Sequence, residues 1–420
     1  MGISIQSVLI EQNSQKFKRK MEHFRHIIAG WLIDGSGGPV RRQVLMNWEE
    51  GTLISVREVR PEDLERFPVG EDAAVTVLPG LVDAHVHLSL SGTEDSEQRT
   101  RQLNVSFEQA RAKIEHHLKQ HILHGVVALR DGGDREAYVL SYKTRFLGED
   151  HPVVLKTPGR AWHARGRYGK VIGRTPRPGE TLVKAMTKEG TERDHIKIVN
   201  SGLNSLTCFG QETAPQFGFK ELDSAIKTAH AVGLKVMVHA NGRVPVAWAV
   251  EAGCDSIEHG FFMGRGNLEK MAEQGTIWVP TAVTMAAYVE KLGKDRPESE
   301  GAKRNLDHQL DQIRVAKGLG VSIAAGTDSG SLGVNHGRAL SEELRLLMTA
   351  GFTLEEAVQC ASSRGAALLN VEDHTGVLAP GRPATFVAVK AAPEGVLDGL
   401  KAPELVVVKG KVVHPVSFAP

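Results

Sequence analysis

Between residues 79 and 369, short apolar runs recur and amphipathic stretches separate most of them, an order that few folds accommodate. The runs are the one ending at His87 and residues 126–130, 153–156, 196–200, 234–239, 256–258, 276–280 and 322–325. Each has the length of a strand buried on both faces and is shorter than a usual helix. Helical periodicity lies between them at residues 107–123, 221–232, 244–252, 268–273, 302–319 and 341–349. In the first of these, Phe107, Ala110, Ile114, Leu118 and Ile122 repeat at helical spacing. Eight strand candidates alternating with helices predict an α/β fold of the (β/α)8, TIM-like barrel kind. The two ends of the chain read differently. Apolar runs flank Glu50-Gly51 near the N-terminus and Lys409-Gly410 near the C-terminus, both hairpin signals. The expectation is a barrel over 79–369 and a small β-sandwich domain built from both termini, 24–78 and 370–420, with residues 1–23 as a tail. The stretches 168–179 and 291–301 are expected to be loops.

Composition narrows the function. Lys+Arg number 51 and Asp+Glu 50, so there is no basic footprint for nucleic acid. Cys208, Cys254 and Cys360 are odd in number and far apart, which excludes a disulfide framework or a thiolate zinc site and fits a reducing cytoplasm. No apolar run reaches the ~18 residues of a membrane span. The basic cluster Lys16, Lys18, Arg19, Lys20 follows the short N-terminal apolar segment, the reverse of a signal peptide. The implied partner is a small-molecule substrate; whether the chain forms a homo-oligomer is left open.

Chemistry concentrates where the strand candidates end. In VLPGLVDAHVHLSLS, His85 and His87 are two residues apart on a strand and share a face, so both imidazoles can approach one ion. Lys197 lies in HIKIVNSG, His239 ends VMVHANG, His259 ends SIEHG and Asp328 follows the last strand in AAGTDSG. Singly, each histidine reads as a loop or capping residue, Asp328 as a helix N-cap and Lys197 as a snorkelling lysine. Together they place four histidines and a carboxylate at the pole where barrel enzymes carry their catalytic groups.

These motifs, with the late ASSRGAALLNVEDHTGVLAPGRPA and VVVKGKVV, resemble the amidohydrolase superfamily, in family order and over nearly the whole chain. The resemblance is nearest to its metal-dependent prolidase-like branch, acting on Xaa-Pro dipeptides and N-acyl amino acids. It implies two divalent metal ions, one held by His85, His87 and Asp328, the other by His239 and His259. Carboxylated Lys197 would bridge them, since a carbamate is an oxygen ligand and an ammonium is none. Histidine and carboxylate donors suit zinc; manganese, cobalt and iron fit the same set. The implied chemistry is attack of metal-activated hydroxide on an amide carbon, with Asp328 passing the proton to the leaving nitrogen.

The substrate side departs from the family. In GRAWHARGRYG, Tyr168 stands where prolidase-like relatives often carry the His of Gly-Gly-His-Gly, and Asn241 stands where a second His is common. His163, Arg165, Arg167, Tyr168 and, after Asp328, His336 are candidates to line a pocket, an Arg/Tyr pair being suited to a substrate carboxylate. A solvated basic loop fits the same residues. Competing readings are a cyclic-amide hydrolase or deaminase of the imidazolonepropionase kind, a lactone or phosphoester hydrolase, and a non-catalytic scaffold. Lys197 argues against the mononuclear class and the complete ligand set against a scaffold.

Overall fold

The computed structural model describes residues 25–66, 75–190, 192–293 and 296–415. The expected tail, residues 1–23, lies outside them. Strands β1 (His26–Leu32), β2 (Arg41–Glu49) and β3 (Thr52–Glu58) pair antiparallel. β2 and β3 are joined at Glu50 and Gly51, whose φ angles of 46° and 80° give the twist that two-residue hairpins require. β4 (Thr76–Pro79) lies parallel to β1 and runs directly into β5 (Leu81–Val86), the strand of the His-x-His motif.

From β5 onward every named pairing up to the last barrel strand is parallel. β5, β6 (Val126–Asp131) and β7 (Val154–Lys156) form one sheet. β8 (Ala161–Trp162), β9 (Gly173–Arg174), β10 (His195–Val199), β11 (Lys235–Ala240), β12 (Ser256–His259) and β13 (Ile277–Val279) form a second, in the order β13-β12-β11-β10-β8-β9. Residues 322–325 lie between the two sheets. The Ala324 N–H donates to Trp278 O of β13 at 3.0 Å, and the Ala84 N–H of β5 donates to Ala325 O at 2.9 Å. On the other side, the Asp194 N–H donates to Thr157 O at 3.0 Å, linking the start of β10 to the end of β7. The result is an α/β, TIM-barrel-like arrangement in which the eighth segment is held by single bridges instead of a full ladder.

β14 (Phe386–Val389), β15 (Leu405–Val408) and β16 (Lys411–Pro415) then return to the first sheet, whose order is β16-β15-β14-β4-β1-β2-β3. It is one mixed sheet in its hydrogen bonds, and it curls. Leu53 N–H reaches Arg382 O at 2.8 Å, and Trp48 meets Phe386 edge-on at 5.3 Å over a core that includes Met46, Leu405 and Val407.

Helices cover the parallel sheets. Phe107–Leu123 has the predicted bounds and starts at a Ser106/Gln109 capping box. Several segments differ from expectation: β9 lies within residues 168–179, expected as loop, and the helices Tyr138–Phe146, Leu182–Lys188, Leu354–Cys360 and Ser363–Leu369 are additional. Residues 297–301, expected as loop, open the helix Pro297–Leu319: Pro297 suits the first turn because its missing N–H is not needed there, and Glu298 and Glu300 favour the positive helix end. Val283–Lys291, not anticipated, is a helix following β13. No described helix is long and apolar enough to cross a membrane.

Candidate metal centre

β5 delivers His85 and His87, and the chain after residues 322–325 delivers Asp328 beside them. His87 Nε2 lies 3.2 Å and His85 Nε2 3.6 Å from Asp328 Oδ1. One donor atom from each of the three falls within 4.8 Å of the others, a spacing that fits a single ion. His259, at the end of β12, has its ring 5.1 Å from that of His85 and 4.5 Å from that of His239 in β11. Lys197 in β10 is 1% exposed, and its Nζ has no hydrogen-bond partner. β10 pairs in register with β11, Val199 standing opposite His239, and the Lys197 charge acts on His85, His239, His259 and Asp328.

Two features fit this pole to cations. First, Gly132 keeps space open: a Cβ there would come within 2.5 Å of His87 Cε1, 2.9 Å of its Nε2 and 3.2 Å of His85 Nε2. Second, a buried primary amine with nothing to donate to is costly as an ammonium. Burial pulls the Lys197 pKa down to about 8 against the opposing pull of Glu258, so the neutral, nucleophilic amine is accessible near neutral pH.

Protonation states follow the same physics. Burial, with Lys197 next in size, holds His85 well below the ordinary imidazole range. Burial does the same to His239 and lowers His259 to about 4. For His87, burial is outweighed by the hydrogen bond and charge of Asp328, which raise it. Asp328 gains in return: although burial opposes ionisation, His87, His85 and His259 hold its carboxyl below the usual range. Lone pairs on neutral imidazoles and an ionised carboxylate are what a divalent cation requires.

Groups the motif reading passed over hold these side chains in place. His85 Nδ1 is 2.8 Å from Glu258 Oε2, and Glu258 Oε1 accepts from Arg130 Nη2 at 2.9 Å and from the Ser256 hydroxyl at 2.5 Å. His87 Nδ1 faces Gly133 O at 3.1 Å, His259 Nδ1 faces the Thr281 hydroxyl at 2.7 Å, and His239 Nε2 faces Gly202 O at 3.1 Å. Asp83, within the same β5 motif, accepts from the Thr327 hydroxyl at 2.6 Å and so fixes the residue before Asp328. Asn241, the departure in VHANG, braces loops: its side chain accepts from the Phe261 N–H at 3.0 Å and donates to Gly202 O at 3.3 Å.

The five substrate candidates do not share one environment, and Arg165 is exposed. Tyr168 stands over His239, ring centroids 5.3 Å apart. It is 37% exposed, and desolvation, followed by the charge of Asp328, pushes its phenol upward. Tyr288, on the unanticipated helix Val283–Lys291, also feels Asp328. Arg167 is exposed, and its guanidinium donates to Ala214 O at 2.8 Å. His163 is buried with Nδ1 3.0 Å from Ala164 O. His336 is buried between Leu90 O at 2.8 Å and His121 Nε2 at 3.2 Å, its ring stacked on His117 at 3.9 Å.

Fold and site together define a class, a TIM-barrel-like protein in which His85, His87 and Asp328 form a candidate site for a metal ion. The amidohydrolase family model matches residues 76–413, and the chain belongs to that family, as a hydrolase acting on C–N bonds. Among relatives, an imidazolonepropionase of Polaromonas sp. is 25% identical over 430 residues, covering 93% of either chain. An ochratoxinase of Aspergillus niger is 24% identical over 404 residues, covering 87% of this chain and 81% of its own. Among solved structures, a Xaa-Pro dipeptidase with bound methionine in its active site is 26% identical at a TM-score of 0.77, covering 93% of this chain and 99% of its own.

Proposed function

We propose that this protein is a binuclear metal-dependent amidohydrolase that cleaves the C–N amide bond of dipeptides or N-acyl amino acids. The observation that carries the reading is a buried, unpartnered Lys197 amine set among His85, His239, His259 and Asp328. In this reading His85, His87 and Asp328 would hold one ion and His239 and His259 the other, and carboxylated Lys197 would supply an oxygen ligand, with zinc the ion that best suits the donors. The residues fall on a closed (β/α)8 barrel over 79–369, beside a sandwich-like unit formed by 24–78 and 370–420. Three free cysteines suit a cytoplasmic enzyme.

Bound divalent cations supply Lewis acidity at the scissile carbonyl and at the attacking water. The chain supplies the rest. Asp328 takes the proton from the water and returns it to the leaving nitrogen, a role its low pKa allows only with that water strongly acidified. Tyr168, beside His239, is the substrate contact among these candidates, its hydroxyl available to the carbonyl or the carboxylate of the substrate. His163, Arg167 and His336 support the surrounding loops through the bonds they already make.

The test is metal content per chain on protein purified without chelator, followed by a screen of dipeptides and N-acyl amino acids. Close to two equivalents and turnover of an amide support the reading. Close to one equivalent, with activity on a cyclic amide, favours the imidazolonepropionase-like alternative, which the sequence of the Polaromonas relative supports.

A further inference from the structure

We propose that Glu258 is a positioning residue: it fixes His85 in the Nδ1–H tautomer, turns Nε2 toward Asp328 as a metal ligand, and strengthens that ligand through its negative charge. The inference rests on the metal-binding reading of the site and adds a residue to it. A carboxylate can only accept hydrogen bonds, and three donors converge on this one. Arg130 Nη2 at 2.9 Å and the Ser256 hydroxyl at 2.5 Å occupy Oε1, which leaves Oε2 to His85 Nδ1 at 2.8 Å. The proton in the last bond must therefore come from the imidazole, and the Nε2 lone pair is free 3.6 Å from Asp328 Oδ1.

The carboxylate is itself clamped. Arg130 donates to Ala84 O at 2.7 Å and to the Ser256 hydroxyl at 2.9 Å, so the guanidinium is held by the β5 backbone and by β12 together. Glu258 is fully buried and Arg130 is 4% exposed. Desolvating such a pair costs several kcal/mol per ion, and apolar residues of similar volume often fill such space with equal or better stability. Packing alone therefore gives no reason for a charged pair under the histidines. A ligand-orienting role does, because a carboxylate behind a metal-bound imidazole raises its basicity and fixes its ring. Backbone geometry supplies the rest. Strand alternation sends neighbouring residues to opposite faces, yet Glu258 and His259 both reach His85. His259 has a φ of 68°, which breaks the alternation and lets one strand end deliver a ligand and the support for another.

Two measurements test this. Zinc affinity of Glu258→Gln, read by chelator competition, is expected to fall about 10- to 100-fold; wild-type affinity in a folded Glu258→Gln protein overturns the proposal. Nitrogen-15 imidazole spectra of the metal-free wild-type protein are expected to show His85 protonated at Nδ1; protonation at Nε2 overturns it, with no variant needed. If the wild-type protein takes up none of zinc, manganese, cobalt and iron, the metal-dependent function fails, while the His85 tautomer still decides the role of Glu258.

Discussion

Asp328 and His259 share a backbone conformation that side chains other than glycine seldom adopt, with φ of 58° and 68°. Such residues cost on the order of 1–3 kcal/mol each and persist where surrounding bonds over-determine them. For Asp328 those bonds are its own N–H to His85 O at 2.7 Å and the clamp of Asp83 on Thr327. The strain turns the carboxylate toward His87, where the bend of a normal strand end would not take it. Asp328→Asn keeps the size and the bend and removes the charge and the proton acceptor. Turnover should fall at least ~100-fold, the scale of a lost general base, with an unchanged far-UV spectrum; near-normal hydrolysis would remove Asp328 from the proton path. Lys197→Ala takes away the buried amine of β10. Its metal content should drop below two equivalents, and activity should fall with it. Full occupancy of both sites in that variant would refute the bridge. Lys197 and Asp328 were legible as candidates because one lies in, and the other just after, a short apolar run that is local in sequence. Glu258 was not, because its partner His85 lies 173 positions away and an acidic residue inside SIEHG carries no signal of what it faces.

Elements set how the loops meet around this pole. The helix Phe107–Leu123 presents His117 and His121 to His336, and the three rings lie buried in contact with one another and with the Leu88 and Leu90 carbonyls. Burial is the first cause for each: it lowers His117 to about 4 and takes His121 and His336 well below the ordinary value. An unfolded histidine titrates near ~6.5. Between these values the unfolded chain binds more protons, so stability present above pH ~6.5 is lost as pH falls toward 4. For His117 alone this is on the order of 3 kcal/mol, at about 1.4 per pKa unit. Thermal melts of metal-free protein from pH 7 to 4.5 should show the loss. His117→Gln, which keeps an N–H for Leu88 O and cannot titrate, should make the loss smaller, and an unchanged slope would exclude His117 as a source of it. A second element contact turns on Gly301. Alanine in place of a helix glycine usually gains ~0.5–1 kcal/mol. Here a Cβ would sit 1.7 Å from the Leu206 carbonyl oxygen. Overpacking of that kind costs ~1–3 kcal/mol, so Gly301→Ala should lower the melting temperature and, by displacing the loop after β10, raise KM; a stabilised variant would place that loop elsewhere. The helix holding Gly301 was legible from residue 302 onward. Its first turn was hidden by a polar composition that reads equally as loop. Val283–Lys291 was hidden for the opposite reason, since its apolar residues follow β13 with no polar break to mark a new element.

At the scale of the whole molecule, the candidate ligands come from β5, β10, β11, β12 and the segment after residue 325, which lie far apart in sequence and around most of the ring of parallel strands. The ring is weakest where that last segment crosses between β13 and β5, because it is held there by isolated bridges and a few backbone bonds. The alternating pattern made β5, β6, β7, β10, β11, β12 and β13 legible from sequence, but not β8 and β9, and it could not reveal that residues 322–325 lack a ladder of their own, since pairing depends on β5 and β13, both remote in sequence. His85, His87 and Asp328 straddle this seam, so an ion held by them would bind β5 to the chain beyond residue 325. Ligand binding to the folded state alone stabilises by roughly 4 kcal/mol when free ligand is a thousandfold above Kd. Removing the metal should therefore lower the melting temperature by several degrees, and hydrogen exchange should rise first at the seam, in the amides of Ala84, Ala324 and Asp328. The terminal seven-stranded sheet, continuous through β4 and without ligands of its own, should keep its protection. Re-adding zinc should restore both readings. A melting temperature indifferent to chelator, in a protein that had carried metal, would mean that the seam closes without the ion and that the site is catalytic only.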